Sequence, residues 1–170
     1  MKVKNIILTI LLILSVVIFL WMAYEPPKPI PETAMFSMEL EVPKEVEAGK
    51  AFTVNGFLRN DSKHDWFISH GADMFRYRVL SEHGEPVPRD SAQIIGINNI
   101  GMGHLLKSKT RYTNDGEGHV SIQLNELKIN EPGKYLVTSY ASFSIPKERN
   151  DTTRDYYFEL ESEPVTVIVR

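Results

Sequence analysis

The chain of 170 residues has room for one folded domain and a short extra segment, since single domains usually hold about 50 to 200 residues. It contains no cysteine, which excludes disulfide bonds, thiolate metal sites and a thiol nucleophile. The formal net charge is −3 with both signs mixed along the chain, so no basic face indicates a nucleic-acid partner.

An apolar run near the N-terminus predicts a transmembrane helix. Residues 6–23 carry no charge, and a helix of that length rises about 27 Å, close to the ~30 Å hydrocarbon core of a bilayer. Lys2 and Lys4 precede the run, so the positive-inside bias predicts that residues 1–24 form a cytoplasmic N-terminus and a signal-anchor helix. We therefore expect a single-pass protein of the cell membrane that contacts the lipid bilayer through residues 6–23.

A cleaved secretory signal peptide is the alternative, and it would leave the same domain in a secreted form. Signal peptides usually have an apolar region of only about 7 to 15 residues, followed by a small-x-small cleavage site. The run here is longer, and a cut after Ala23 would place the bulky Trp21 where a small residue is required. The pattern favours a retained anchor, and in both alternatives the remaining domain is extracytoplasmic.

A proline-rich stem follows the apolar run. Residues 25–33 read EPPKPIPET, a composition that favours an extended polyproline-type conformation without internal hydrogen bonds. We expect this stem to act as a spacer between the bilayer and the folded domain.

The remaining residues, 34–170, show mostly period-two hydrophobic alternation and no convincing amphipathic helix, which predicts an all-β domain. The alternation at 52–59 ends at Asn60-Asp61-Ser62, a typical turn sequence. An Asp115-Gly116 pair predicts a hairpin turn. Further strands are predicted at 66–68, 75–79, 120–124, 135–145 and 165–169.

About seven short strands separated by turns are typical of an immunoglobulin-like antiparallel β-sandwich. Trp66 is a candidate for the core tryptophan of the third strand. Tyr135, directly after Pro132-Gly133-Lys134, is a candidate tyrosine corner whose hydroxyl bonds to the backbone a few residues upstream. The alternative for both residues is an ordinary core aromatic.

Residues 52–87, together with the later stretch EPGKYLVTSYASFSI, resemble bacterial immunoglobulin-like domains. Within that class the chain is most similar to the BsuPI-type proteinase-inhibitor domain, which shares the early Asn turn and a late Pro-Gly-x-Tyr strand. The resemblance implies an immunoglobulin-like fold and, as an alternative function, inhibition of an extracellular proteinase. No proteinase-contacting residue carries over, and fold likeness alone does not define function.

Histidine and acidic residues cluster at His64, His70 and Asp73, side chains that can ligate zinc or another divalent ion. The six-residue spacing of the two histidines matches no compact ligand motif, and solvated loop side chains are the favoured interpretation. The loop at 114–118 superficially resembles a calcium loop but has Asn125 where the terminal glutamate belongs. We therefore predict neither a metal nor a cofactor.

Residues 92–106, AQIIGINNIGMGHLL, form a long stretch without formal charge. If exposed, this stretch would form an apolar partner surface; if buried, it is a core strand with a glycine-rich bend. Burial is favoured because an exposed run of this length promotes aggregation. The residues of the candidate partner surface are Ile94, Ile95, Ile97, Ile100 and Met102.

No catalytic motif stands out: the chain has no Gly-x-Ser-x-Gly elbow, no His-Glu-x-x-His and no phosphate-binding glycine loop. Asn60-Asp61-Ser62 fits the N-glycosylation acceptor pattern, which is frequent by chance. We expect a noncatalytic, membrane-anchored extracytoplasmic module that binds an envelope or extracellular protein.

Overall fold

The computed structural model describes residues 12–19, 21, 28–72, 74–88, 101–114, 125–147 and 155–170. The chain divides into two compact units, Met1–Ile30 and Pro31–Arg170. In the first unit, residues 12–19 and 21 are helical and exposed. Within the described residues, no helix is both long enough and apolar enough to cross a membrane. The predicted span at 6–23 lies only partly among these residues.

The second unit is built almost entirely from β-strands, which confirms the prediction of an all-β domain. In the described ranges its helical content is a single 3-10 turn, Thr33–Met35. The strands are β1 (Phe36–Glu41), β2 (Glu45–Val46), β3 (Ala51–Thr53), β4 (Asn55–Asn60), β5 (Trp66–Gly71), β6 (Phe75–Ser81), β7 (Gly101–Leu106), β8 (Arg111–Tyr112), β9 (Glu126–Lys128), β10 (Gly133–Ile145), β11 (Tyr156–Glu161) and β12 (Val165–Val169).

The 13-residue strand β10 is the centre of the largest sheet. Its residues 133–137 pair with β12 and its residues 140–145 pair with β11. Residues 135–141 pair at the same time with β6, and Ser144 pairs with Ser69 of β5. Because a strand has only two edges, β11 and β12 share one edge of β10, whereas β5 and β6 share the other.

The remaining strands extend this sheet or form two smaller sheets among the described residues. β7 pairs antiparallel with β5, and β2 pairs parallel with β12, which gives the order β2-β12-β10-β5-β7. A three-stranded sheet has the order β1-β4-β8, and a two-stranded sheet pairs β3 with β9. Since β3 and β4 are separated only by Val54, the two smaller sheets continue one another along the chain.

Two buried clusters join these sheets face to face. The first takes Phe36 of β1 and Leu58 of β4 together with Trp66 of β5 and Phe143 of β10. The second packs the two-stranded sheet against β6, β10 and β12, with Val137 of β10 among its fully buried members. β10 therefore contributes to both clusters through the inward side chains of a single face.

Several strands were predicted correctly from period-two alternation. The strands at 66–68, 75–79 and 165–169 form within β5, β6 and β12. The side chains predicted to share one face of β10 are all buried: Tyr135, Val137, Ser139, Ala141, Phe143 and Ile145. The predicted strand at 120–124 and the Asp115-Gly116 turn lie outside the described residues.

The predicted upstream hydrogen bond of Tyr135 is present, and Trp66 is buried, which fits both alternatives given for it. The Tyr135 hydroxyl donates a hydrogen bond of 3.0 Å to the carbonyl oxygen of Glu131, four residues upstream. Trp66 is buried at the start of β5, and its Nε1–H donates to Ser62 Oγ at 2.9 Å. The hydrogen bonds fix the loop before β10 and the turn before β5.

A buried polar group lies midway along the inner face of β10. Ser139 stands between Val137 and Ala141, and its buried hydroxyl has no hydrogen-bond partner among the described residues. Opposite it, a Cβ added to Gly56 would lie only 2.6 Å from Ser139 Oγ. The Gly56 N–H donates to the Tyr77 hydroxyl at 2.8 Å. Position 56 therefore requires glycine because of close approach between the sheets.

We predict that Gly56→Ala lowers the free energy of unfolding by about 1 to 3 kcal/mol, because the added methyl group overpacks this contact. Ser139→Ala removes the shortest contact, at 2.6 Å, and the unpaired hydroxyl, whereas the contact with Phe75 at 3.1 Å remains. The double variant should therefore lose less stability than Gly56→Ala alone. Denaturant unfolding of the full-length protein in detergent measures both effects. Gly101→Ala is the control, since no heavy atom of the described residues lies within 4 Å of the place that its new Cβ would occupy. Equal losses at positions 56 and 101 would contradict the close-approach explanation.

Candidate functional site

The structure separates the two histidines predicted as metal ligands. His64 is half-buried before β5, and its ring lies edge-on to Trp66 at a centroid distance of 6.2 Å. His70 is buried near the end of β5, and the strand from Trp66 to His70 alone spans roughly 13 Å at ~3.3 Å per residue. Asp73 lies outside the described residues, and the described ranges contain no group of three or more side chains that could hold a metal ion.

Both ring nitrogens of His70 contact protein atoms. Nδ1 is 2.7 Å from the Gly71 carbonyl oxygen, and Nε2 is 3.0 Å from the Tyr112 hydroxyl. That hydroxyl donates to Asn114 Oδ1 at 2.9 Å, and Asn114 Nδ2 donates to the Ala72 carbonyl at 3.0 Å. The buried chain of hydrogen bonds ties β8 to the end of β5, which gives His70 and Asn114 a structural role.

The predicted apolar partner surface lies largely outside the described residues. Ile94, Ile95, Ile97 and Ile100 are not among them. Met102 lies in β7 and is buried, as is Leu106. For the stretch 92–106 as a whole, the choice between a core strand and a partner surface stays a prediction.

Asn60 is buried, and its side chain joins the turn that follows it to the end of β7, whereas the sequence pattern predicted only a turn residue. We name this set of hydrogen bonds the junction. Asn60 Nδ2 donates to the carbonyl oxygens of His64 at 2.7 Å and Leu106 at 3.2 Å. Its Oδ1 accepts from the Ser62 N–H at 3.0 Å and the Ser62 hydroxyl at 2.7 Å. The amide is fully buried and occupied, so glycosylation at this acceptor pattern is incompatible with the folded domain. The junction fixes the end of β7 beside the turn before β5.

We predict that Asn60→Asp lowers the free energy of unfolding by about 2 to 4 kcal/mol, because a carboxylate would face two carbonyl oxygens without a donor. Thermal or denaturant unfolding of the full-length protein gives the comparison. Asn55→Asp is the matched control: Asn55 is exposed and accepts a hydrogen bond from Asn125 Nδ2 through an oxygen that aspartate retains. Similar stability losses for the two variants would argue against the junction.

Within the described part of the β-domain, two exposed apolar side chains lie side by side as a cross-strand pair on the outer face of β5 and β7. Phe67 is 53% exposed and Leu105 is 48% exposed, and the two residues are direct partners in the strand register. The Phe67 ring lies over Gly103, since a Cβ there would be 2.4 Å from the ring. We name Phe67 and Leu105 the apolar pair.

Sequence reasoning missed the apolar pair, although a signal was present. With Trp66 as a core candidate, period-two alternation requires its neighbour Phe67 to point outward. The burial of Trp66 and Ile68 and the exposure of Phe67 between them follow this alternation.

Small and polar side chains surround the apolar pair on the same face. Ser69 pairs with Gly103 on one side and Ser144 on the other, and Ser144 pairs with Tyr157, which is also exposed. Between Phe67 and Tyr157, the described part of this face therefore carries only small side chains.

Further along this face, three side chains form hydrogen bonds with one another. Arg78 Nη2 and the Tyr140 hydroxyl both donate to Glu161 Oε1, at 2.8 Å and 2.7 Å. The Arg78 guanidinium carbon lies 5.0 Å from the centroid of the Tyr140 ring. Burial, followed by the hydrogen bond to Glu161, raises the pKa of Tyr140, so its phenol stays protonated at neutral pH.

The outer face of the three-stranded sheet carries charged side chains of both signs, which form ion pairs with one another. Arg59 bonds Asp61 Oδ1 at 2.8 Å and Glu39 Oε1 at 3.1 Å, and its pKa is raised by these two hydrogen bonds, Glu39 first. The Arg111 guanidinium carbon lies 4.1 Å from the centroid of the Phe57 ring. Exposed ion pairs of this kind are screened by solvent and contribute little to stability, and they leave little net charge on this face to attract a ligand.

A scan against models of known protein families and a search of curated proteins each found no match. The resemblance to the BsuPI-type inhibitor therefore stays a prediction.

Proposed function

We propose that the protein is a noncatalytic module, anchored in the cell membrane by residues 6–23, whose extracytoplasmic immunoglobulin-like domain binds another protein through the apolar pair. The exposure of Phe67 and Leu105 side by side is the observation that carries the proposal.

An immunoglobulin-like assignment is supported by the order of the strands. In such a domain the strand that opens with the tyrosine corner lies between the third strand and the last strand of one sheet. Here β10 has β12 along one edge and β5 and β6 along the other, with β11 as an additional strand between β10 and β12 in the chain. β7 stands where a variable-type domain adds a strand beside the third. The upstream hydrogen bond of Tyr135 and the buried Trp66 are two further features of this class.

A protein partner is favoured by the chemistry of the outer face. Aromatic residues and arginine are enriched at the centres of protein interfaces, and Phe67, Tyr157 and Arg78 lie on this face with serine and glycine between them. Fully burying a side chain such as Phe or Leu contributes about 1.5 to 3 kcal/mol. A partner that covers the apolar pair therefore gains enough to add one or more orders of magnitude to its affinity.

The anchor is supported by composition: the uncharged run at 6–23, the lysines before it and the proline-rich stem after it. In that arrangement the stem, residues 25–33, holds the domain a short distance from the bilayer.

We predict that full-length protein with a C-terminal tag stays with the membrane fraction and that protease added outside intact cells digests the tag. Leu14→Arg places a charge near the middle of the run and should reduce membrane retention, whereas Leu14→Ile should not. Fractionation and immunoblotting measure both. A tagged domain free in the medium at reduced mass would instead mean that a signal peptide is removed.

We predict that partner capture depends on the apolar pair. Full-length protein cross-linked in intact cells should yield a specific partner protein, and the Phe67→Ser/Leu105→Ser variant should lose at least about nine-tenths of it, the effect of ~1.4 kcal/mol. Ile168→Ser is the matched control, because Ile168 is 41% exposed on β12, away from the pair. Equal capture by both variants and the wild type would refute the assigned surface.

A further inference from the structure

Gly103 lies beneath the ring of Phe67 in the pair of strands β5 and β7. Phe67 is the register partner of Leu105, and Ser69 is the partner of Gly103, so Gly103 is the diagonal neighbour of Phe67. A Cβ built on Gly103 would lie 2.4, 3.0 and 3.4 Å from Cζ, Cε1 and Cε2 of Phe67. These three carbons form the outer end of the ring. The ring therefore crosses from β5 to β7 and ends over the Gly103 backbone.

The ring of Phe67, and not the backbone conformation, requires glycine at position 103. The described glycines with positive φ are Gly49, Gly84 and Gly133, and Gly103 is not among them. A glycine inside a strand weakens the strand and often marks the close approach of another group. An aromatic side chain from the neighbouring strand compensates for the missing side chain by covering the glycine. Phe67 covers Gly103 in this way.

We infer that Gly103 is a positioning residue for the apolar pair, because it holds the Phe67 ring beside Leu105 before a partner binds. The inference rests on the proposed function, since it concerns the same surface. Ordering a side chain on association costs free energy, and a ring that is already held avoids part of this cost. For one side chain the cost corresponds to about a two- to tenfold change in affinity.

The substitution Gly103→Ala separates the position of the ring from the stability of the fold. The new methyl group would lie 2.4 Å from Phe67 Cζ, which is the far end of a flexible side chain. Because Phe67 is exposed, its ring can change rotamer toward solvent without any movement of the backbone. We therefore expect the variant to stay folded, with the Phe67 ring displaced from its place beside Leu105.

Nuclear magnetic resonance tests the contact between Phe67 and Gly103 without any partner. Full-length protein in detergent is labelled with ¹³C-glycine, and the Gly103 signal is identified by its loss in Gly103→Ala. We predict that the Hα shifts of Gly103 change in Phe67→Leu, because leucine has no ring current. The signal of Gly84, which lies in the turn after β6, should keep its shifts and is the control. Unchanged Gly103 shifts in Phe67→Leu would overturn the inference.

A double-mutant cycle then tests whether the position of the ring matters for binding. The full-length wild type, Gly103→Ala, Phe67→Leu and the double variant are cross-linked in intact cells, and the yield of the cross-linked partner band is compared. We predict that Gly103→Ala lowers this yield about two- to tenfold beside Phe67 and has little effect beside leucine. Leucine keeps part of the apolar contact, so the yield stays measurable in that background.

Two controls exclude a merely structural effect of Gly103→Ala. The denaturant midpoint of the full-length variant in detergent should stay close to that of the wild type, because the ring moves and the core does not. Gly101→Ala is the same substitution in the same strand, and no heavy atom of the described residues lies within 4 Å of its new Cβ. It should leave the yield of the partner band unchanged.

The failure of this inference can be told apart from the failure of the proposed function. If Gly103→Ala leaves the yield unchanged while Phe67→Ser/Leu105→Ser abolishes it, the surface is correct and the positioning role is wrong. Equal losses from Gly103→Ala beside phenylalanine and beside leucine would mean that the methyl group acts without the ring, which also overturns the role. If Phe67→Ser/Leu105→Ser has no effect, the proposed function fails and the positioning role fails with it.

Discussion

The pairing of one long strand with four others is the constraint on which the domain depends. β10 holds β11 and β12 along one edge and β5 and β6 along the other. A shift of one residue in this strand would turn toward solvent every inward side chain that β10 contributes to the two clusters, so the register is strongly specified. Ser162 holds the break between β11 and β12: its hydroxyl accepts from the Ser139 N–H at 3.0 Å, and its N–H donates to the Ser139 carbonyl at 2.9 Å.

Buried polar side chains position the loops, whose conformation the hydrophobic alternation of the strands does not determine. Asn60 joins the turn before β5 to the end of β7, and Asn114 joins β8 to the end of β5. Each of these amides is buried, and a buried amide without partners would cost several kcal/mol on transfer scales. Their bonds therefore favour one arrangement of the loops, and that arrangement holds Phe67 and Leu105 side by side.

The proposed partner surface lies at the end of the large sheet where β5 meets β7. The face there exposes the apolar pair, and the edge there is uncharged and contains Gly101 and Gly103. The opposite end has a two-residue strand with an ion pair at its border. The position of the apolar pair therefore depends on which strand the fold pairs with β5.

The sequence by itself determined the all-β class, the inner face of β10, the turn at Asn60 and the upstream bond of Tyr135, because alternation and turn chemistry are local properties. It did not predict the short strands β2, β8 and β9, whose two or three residues carry too few side chains for a periodic signal. Only the tertiary structure decided that Asn60 is buried and that Phe67 lies beside Leu105. These contacts join residues far apart in the chain, and long-range pairing is set by packing rather than by local pattern.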